Sequence, residues 1–209
     1  MQGASPSRDR MRVCLHQGDK ISRDLVEASR SAIEGSGIFT VSGTTYLPPE
    51  GLGNNTASLS ISEFSKKLAA LSDPNCGIVL AVVGNDLRGP ADVPIFGGAL
   101  RRSNSAPDVA VVSVRKLGPT RLGCSDEAFL ARRVQKEVMH ELGHILGLNH
   151  CPSYACVMRL SRNVSEIDMK PITYCPMCLL RLVATRCCSG VRSLKPFLGR
   201  LTRRQSSGQ

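Results

Sequence analysis

Residues 140–158 read HELGHILGLNHCPSYACVM and contain three of the four histidines of the chain. His140 and His144 are four residues apart, which places both imidazoles on one face of a helix, where they can reach the same metal ion. Gly147 predicts a sharp exit from that helix, because glycine adopts the required backbone conformation with least strain. The turn can return His150 as a third ligand while one coordination position stays open. Three histidines with an open position are typical of catalytic zinc.

Glu141 follows the first of these histidines and projects from the neighbouring side of the predicted helix. Its carboxylate can accept a proton from water without being a metal ligand, which is the role of a general base. A single histidine on a helix is more often a core or surface residue, and a bare HExxH is a common accidental match. The full pattern fixes five positions, and it arises by chance in about one chain of this length in ten thousand. The pattern therefore favours catalytic zinc.

Four of the nine cysteines form a second motif, which begins next to His150. Cys151 and Cys156 are followed by a CxxC pair, Cys175 and Cys178, whose spacing is typical of a zinc knuckle. Four thiolates leave no open position, so we expect a structural zinc that holds a segment with no apolar periodicity. A redox-active CxxC is the alternative, and it leaves Cys151 and Cys156 unexplained.

The other five cysteines are scattered or close to the C-terminus, and we expect them to be small buried side chains. Residues 1–12 are polar and basic with no apolar run behind them, unlike a secretory signal. Disulfides are rare in a reducing compartment, so we expect a cytoplasmic location and free thiols. These residues are Cys14, Cys76, Cys124, Cys187 and Cys188.

The composition is that of a globular protein, with 209 residues of which 42% are hydrophobic and 21% charged. It excludes a fibre, a collagen or a wholly disordered chain, and no apolar run has the length of a transmembrane helix. The net charge of +10 invites a comparison with nucleic-acid-binding proteins. However, eight of the 27 basic residues follow Asp168, the last of the 17 acidic residues, so residues 1–168 carry only +2. The basic tail lacks interleaved aromatic residues, so nucleic-acid binding is not expected as the main role.

Hydrophobic patterns before Gly147 predict the element order β-α-β-α-β-β-α. This order favours a mixed sheet backed by helices. Strands are predicted at 11–16, 38–46, 77–84 and 108–114, with an edge strand or loop at 89–100, and helices at 19–34, 63–71, 127–146 and 178–188. We expect four regions: a disordered N-terminus (1–10), an upper lobe (11–147), a lower lobe (148–188) and a flexible basic tail (189–209).

HExxHxxGxxH with a later methionine, Met158, is the metzincin pattern. Its continuation into Cys151, Cys156 and the distant CxxC resembles the archaemetzincins, and residues 93–100 (VPIFGGAL) and 110–115 (AVVSVR) resemble the edge strand of that family and the strand that follows. The resemblance implies a metzincin-like α/β (α+β) fold with a small zinc-stapled C-terminal lobe. It implies two zinc ions per chain, Met158 as the Met-turn residue, and Ile95 and Phe96 at the strand that pairs with an extended peptide.

We therefore expect a zinc metallopeptidase that acts on a peptide or protein substrate as a monomer, without a membrane partner. The alternative is a non-catalytic zinc-binding protein that binds peptide or nucleic acid, because a fold does not guarantee turnover. Tyr154 and Tyr174 are candidates for stabilising the oxyanion only because both fall in the lower lobe.

Overall fold

The computed structural model describes residues 10–47, 58–73, 75–101, 106–118 and 126–188. The predicted disordered N-terminus, apart from Arg10, and the predicted basic tail lie outside the described residues, as does Cys124. The side chains of Cys187 and Cys188 also lie outside them.

The described strands form two sheets, and the larger one contains the buried strand that the run at 77–84 predicts. The strands are β1 (Met11–Gln17), β2 (Phe39–Tyr46), β3 (Leu59–Ser60), β4 (Ile78–Val83), β5 (Leu87–Arg88), β6 (Pro94–Ile95), β7 (Gly97–Leu100) and β8 (Asp108–Ser113). The larger sheet has the order β2-β1-β4-β8-β7, and the smaller has β3-β5-β6. In the larger sheet β7 is antiparallel to β8, while the other neighbours pair in parallel. All six residues of β4 are buried, as expected of a strand covered on both faces.

Helices cover both faces of the larger sheet, which confirms the predicted mixed sheet backed by helices. The helices are α1 (Arg23–Gly35), α2 (Ile61–Leu71), α3 (Asp126–Ile145), α4 (Val164–Met169) and α5 (Pro176–Cys188). Alternate residues of β4 enter two cores: Leu80 packs in the core with α1 and α3, and Ala81 in the core with α2. Within the described part of the chain, no helix is both long and apolar enough to cross a membrane.

Helix α4 is an element that the sequence patterns do not predict. It has six residues, and among them Ile167 alone is buried, so it is too short to display a helical period. Its start is nevertheless well defined, because the Asn163 side chain accepts a hydrogen bond from Glu166 N at 3.0 Å. The Glu166 carboxylate in turn accepts one from Arg162 N at 2.7 Å.

Polar side chains of α3 bind α4 and thereby hold residues 164–169 against α3. Arg133 makes a two-bond ion pair with Asp168, with N–O distances of 2.8 and 2.7 Å. Lys136 donates to the carbonyls of Ile167 and Asp168 at 3.0 and 2.7 Å. These contacts fix the orientation of α3, which carries His140, Glu141 and His144.

Cys14 and Cys76 correct the expectation that the scattered cysteines are free. The two are joined by a disulfide with 6.1 Å between their Cα atoms and a sequence separation of 62. Cys14 lies on β1 opposite Val79 of β4, and Cys76 lies three residues before that partner. The parallel pairing of β1 with β4 therefore brings the two cysteines together, which their spacing in the sequence does not reveal.

Replacing both cysteines, as Cys14→Ser with Cys76→Ser, is expected to lower the free energy of unfolding by about 2–4 kcal/mol. The disulfide restricts the unfolded chain over a loop of about 60 residues, which is the physical reason. Denaturant unfolding of the oxidised wild type and the double variant measures the difference. A phosphine reductant in zinc-containing buffer is the control, since it should bring the wild type to the variant's midpoint. Equal stability of oxidised and reduced wild type would contradict the disulfide.

Candidate metal centre and active site

The end of α3 and the turn after it bring three histidines together. His140 and His144 lie one turn apart on α3, and the chain leaves the helix at Gly147, whose φ of +85° lies in the left-handed region. Leu148 N donates to Gly143 O at 3.0 Å and closes the turn. The turn returns His150, so that the ligand atoms of all three histidines lie within 4.8 Å of one another.

Two of the three imidazoles, those of His140 and His144, meet with their Nε2 sides, and backbone carbonyls contact both from behind. The Nε2 atoms of His140 and His144 are 3.1 Å apart. His140 Nδ1 lies 2.9 Å from Val157 O, and His144 Nδ1 lies 2.8 Å from Leu148 O. A carbonyl oxygen only accepts hydrogen bonds, so each Nδ1 carries the proton and donates it. The Nε2 lone pairs therefore face the centre of the cluster, as metal ligation requires.

The electrostatics of the cluster favour neutral imidazoles. Burial lowers the pKa of His140 well below its usual value, and the positive charge of Lys170 lowers it further. Burial lowers the pKa of His144 and of His150 as well, with Lys170 again contributing. His140 is buried, His144 is half-buried and His150 is exposed, so one side of the cluster faces solvent. Three neutral nitrogen donors with an open side fit a catalytic zinc ion.

Glu141 lies beside this cluster, between α3 and the edge of the larger sheet. Its side chain is buried, and a Cβ atom added at Gly97 of β7 would come within 2.7 Å of its Oε1. Glycine at this position is what allows the edge strand to approach the carboxylate so closely. Burial raises the pKa of Glu141 well above its usual value, and the nearby Glu137 carboxylate raises it further while Lys170 opposes the change.

Met158 forms a buried floor beneath the last turns of α3. Its side chain is fully buried, and a Cβ atom at Gly143 would collide with the Met158 sulfur and come 3.0 Å from the Tyr174 ring. The Tyr174 hydroxyl donates to Met139 O at 2.7 Å. Burial raises the pKa of Tyr174, which keeps this hydroxyl protonated. Tyr174 is thus committed to packing, and its suggested oxyanion role is wrong. Tyr154 is 74% exposed, and the Arg159 guanidinium stacks on its ring.

The four motif cysteines converge next to the histidines, and none of them forms a disulfide. The Sγ atoms of Cys151 and Cys175 are 3.8 Å apart, and those of Cys156 and Cys178 are 3.7 Å apart. A tetrahedral zinc site with Zn–S bonds of about 2.3 Å requires sulfur atoms about 3.8 Å apart. The donor set therefore fits a closed zinc site in its dimensions as well as its chemistry.

The neighbours of one of these thiols lower its pKa. Burial raises the pKa of the Cys175 thiol, but hydrogen bonds from the Cys178 backbone and the neighbouring thiols outweigh it and bring the pKa to about 7. A backbone bond also ties the cysteine cluster to the floor of the histidine site: Cys151 N donates to Met158 O at 2.9 Å. Since His150 and Cys151 are adjacent in the chain, displacement of either cluster moves the other.

The strand at the edge of the larger sheet is β7, which lies just after the pair named from the sequence. Ile95 belongs to β6 and pairs with Leu87 of β5. Phe96 O accepts a hydrogen bond from Ser113 N at 2.8 Å, so Phe96 leads directly into β7. Within the described ranges, no strand pairs with the outer side of β7. The face of β7 that α3 covers lies against Glu141 at Gly97.

Two buried charges near the site are not predicted from the sequence. Lys170 Nζ lies 2.7 Å from Glu137 Oε1, with side-chain exposures of 0% and 5%. Glu137 precedes Glu141 by one helical turn, so its position on this face could have been found from the helical period. Nothing in the sequence marks Lys170 as its partner, because the pairing depends on how α4 packs against α3.

Comparison with known proteins places the similarity in the region that carries both clusters. Residues 94–184 match the sequence profile described as Peptidase family M54. The chain resembles the archaemetzincins in sequence and in fold. It is 44% identical to an archaemetzincin of Thermococcus kodakarensis over 90 residues, and 41% identical to one of Pyrococcus horikoshii over 111 residues. These matches cover 43% and 53% of this chain and 46% and 57% of the archaemetzincins, so they span about half of each relative.

Solved archaemetzincin structures match a larger share of the chain. The crystal structure from Methanopyrus kandleri has a TM-score of 0.69 and 27% identity, covering 87% of this chain and 98% of that one. The Archaeoglobus fulgidus archaemetzincin in complex with malonate has a TM-score of 0.57 and 27% identity, covering 82% and 99%. The archaemetzincin-like fold predicted from residues 140–178 is thereby confirmed.

Proposed function

We propose that this chain is a zinc metallopeptidase that hydrolyses peptide bonds, with Glu141 as the general base. One observation carries the proposal: ring nitrogens of three histidines converge beside a buried carboxylate, at the edge of a sheet with an open side to solvent. The archaemetzincin resemblance supports the same activity. His140, His144 and His150 would hold a catalytic zinc, and Cys151, Cys156, Cys175 and Cys178 a structural one, so that each chain carries two zinc ions.

The chain's own groups then account for the steps of hydrolysis. Zinc in such a site supplies Lewis acidity, which polarises a carbonyl and lowers the pKa of water to roughly 7. The Glu141 carboxylate accepts a proton from the attacking water and passes it to the leaving amine. The carbonyls of Val157 and Leu148 keep His140 and His144 in the ligating tautomer. Met158 packs against Gly143 and holds the floor of the site.

The substrate in this proposal is a peptide or protein held as an extended strand. It adds antiparallel to the outer edge of β7, close to Ile95 and Phe96, so that main-chain hydrogen bonds supply affinity. Residues 11–147 act as an upper lobe and residues 148–188 as a lower lobe on either side of this strand.

Two further parts of the proposal concern the state of the chain. We propose a monomer, and nucleic-acid binding is not expected as its main role. A cytoplasmic location is also proposed, and the Cys14–Cys76 disulfide argues against it. Counting free thiols in protein isolated under acid quench from its native compartment tests that point. Reduced Cys14 and Cys76 agree with the cytoplasm, and oxidised ones contradict it.

Metal removal tests the function. The full chain is expected to contain two zinc ions and to hydrolyse members of a fluorogenic peptide library. A chelator should remove the partly exposed histidine-bound ion first, abolishing hydrolysis while far-ultraviolet circular dichroism is unchanged, and added zinc should restore the activity. A zinc-loaded, folded chain that binds peptides or nucleic acid but hydrolyses no member of the library would contradict the proposal. That result would favour a non-catalytic binding protein.

A further inference from the structure

Arg101 follows β7 directly and lies at the end of the strand that passes Glu141. Gly97 faces α3, since a Cβ atom there would contact Glu141. Four residues later the Arg101 guanidinium lies against the turn after α3. A Cβ atom added at Gly147 would lie 3.2 Å from Arg101 Nη1. Residues at even separation along a strand share a face. β7 and the residue after it therefore span the last turns of the active-site helix, from the carboxylate to the helix end.

The Arg101 guanidinium is available to a ligand. The residue is exposed, and it has no hydrogen bond or ion pair within the part of the chain that the structure describes. Leu100 pairs with Val109 on β8, so Asp108 is the nearest acidic residue along the ladder. By contrast, Arg115 at the other end of β8 pairs with Asp86 at 3.3 Å.

The geometry of strand addition determines which part of a substrate reaches Arg101. A peptide antiparallel to β7, with its reacting carbonyl beside Glu141 and Gly97, runs toward Arg101 in its N-terminal direction. Four residues of extended chain span about 13 Å. The side chain about four residues before the scissile bond therefore lies beside Arg101, on the same face of the strand.

Resting on the proposed function, we infer that Arg101 is a specificity-determining residue that selects an acidic side chain about four residues N-terminal to the scissile bond. A guanidinium offers a fork of donors that matches a carboxylate better than it matches any other common side chain. The substrate class is thus a peptide with Glu or Asp on this side of the cleavage point. A lysine at the same position is disfavoured by repulsion.

The test uses three zinc-loaded chains and peptides that differ only in Glu, Gln or Lys at that position. For the wild type, kcat/KM for the Glu peptide is expected to exceed that for Gln about three- to tenfold, as for a partly exposed charged pair. The Arg101→Gln variant should lose the preference, and Arg101→Glu should prefer Lys. Arg115→Gln is the matched control, because it removes the same charge from a paired arginine and should retain the preference. Higher salt should weaken the wild-type preference.

Two outcomes overturn the inference while the proposed peptidase stands: equal cleavage of the three peptides by the wild type, and an acidic preference on the C-terminal side of the scissile bond. Binding of the same peptides to zinc-loaded Glu141→Gln, measured by fluorescence anisotropy, is a second readout. There the Glu peptide should bind more tightly than the Gln peptide, and adding Arg101→Gln should remove the difference. If no peptide is hydrolysed, the proposed function fails and this binding comparison alone decides on Arg101.

Discussion

The Glu141→Gln variant is expected to lose peptide hydrolysis by roughly 10²- to 10⁴-fold in kcat/KM, the range for loss of a general base. Glutamine has the shape of glutamate but cannot accept a proton at neutral pH. Zinc content should not change, because Glu141 is not among the three histidines whose ring nitrogens converge. Kinetics of the zinc-loaded chain and elemental analysis of the same sample measure both quantities.

Stability should separate the two variants at this position. Burial and the Glu137 carboxylate both disfavour the charged form of Glu141, so a neutral isostere is expected to leave the melting temperature unchanged or to raise it. Glu141→Ala, in contrast, leaves a gap between α3 and Gly97 of β7. Glu127→Gln is the matched control on the same helix, because Glu127 is exposed and distant from the cluster. Unimpaired hydrolysis by Glu141→Gln would show that another group takes the proton.

The histidine site is the part of the molecule that the sequence predicts best, because it is local. His140 and His144 share a helix, and Gly147 directs the turn that returns His150, so helical geometry and one turn suffice. The spacing of Cys175 and Cys178 is equally local. Each of these groupings depends on fewer than a dozen consecutive residues, over which backbone geometry alone limits the arrangement.

Pairings that depend on packing between distant elements are not predictable in this way. Cys14 and Cys76 meet because β1 pairs with β4 in a particular register. Lys170 meets Glu137 because α4 docks on α3. The same limit applies to the edge strand: the glycine and proline residues at 89–100 weaken any period-two pattern, so the boundary between β6 and β7 is set by partners elsewhere in the sheets.

Loss of the cysteine cluster is expected to unfold the segment from Cys151 to Cys178. This is the largest effect on stability that we expect from any substitution in the molecule. Structural zinc contributes an apparent 10 kcal/mol or more in small zinc domains, about the scale expected here. In Cys178→Ser the zinc content should fall from two ions to one or none. Amide hydrogen exchange should lose its protection between Cys151 and Cys178, while β4 and β8 stay protected because they also pack with side chains of α1, α2 and α3.

Activity should fall with that segment even though Cys178 is no ligand of the histidine cluster. Cys151 N holds Met158 O at 2.9 Å, and His150 precedes Cys151, so an unfolded segment releases both the floor and the third histidine. Met177→Ser is the matched control: Met177 lies between the two cysteines of the CxxC pair and is 61% exposed, so its replacement should leave both ions and the exchange protection intact. Two zinc ions and full protection in Cys178→Ser would mean that packing, including the Tyr174 bond to Met139 O, is sufficient to hold the segment without the metal.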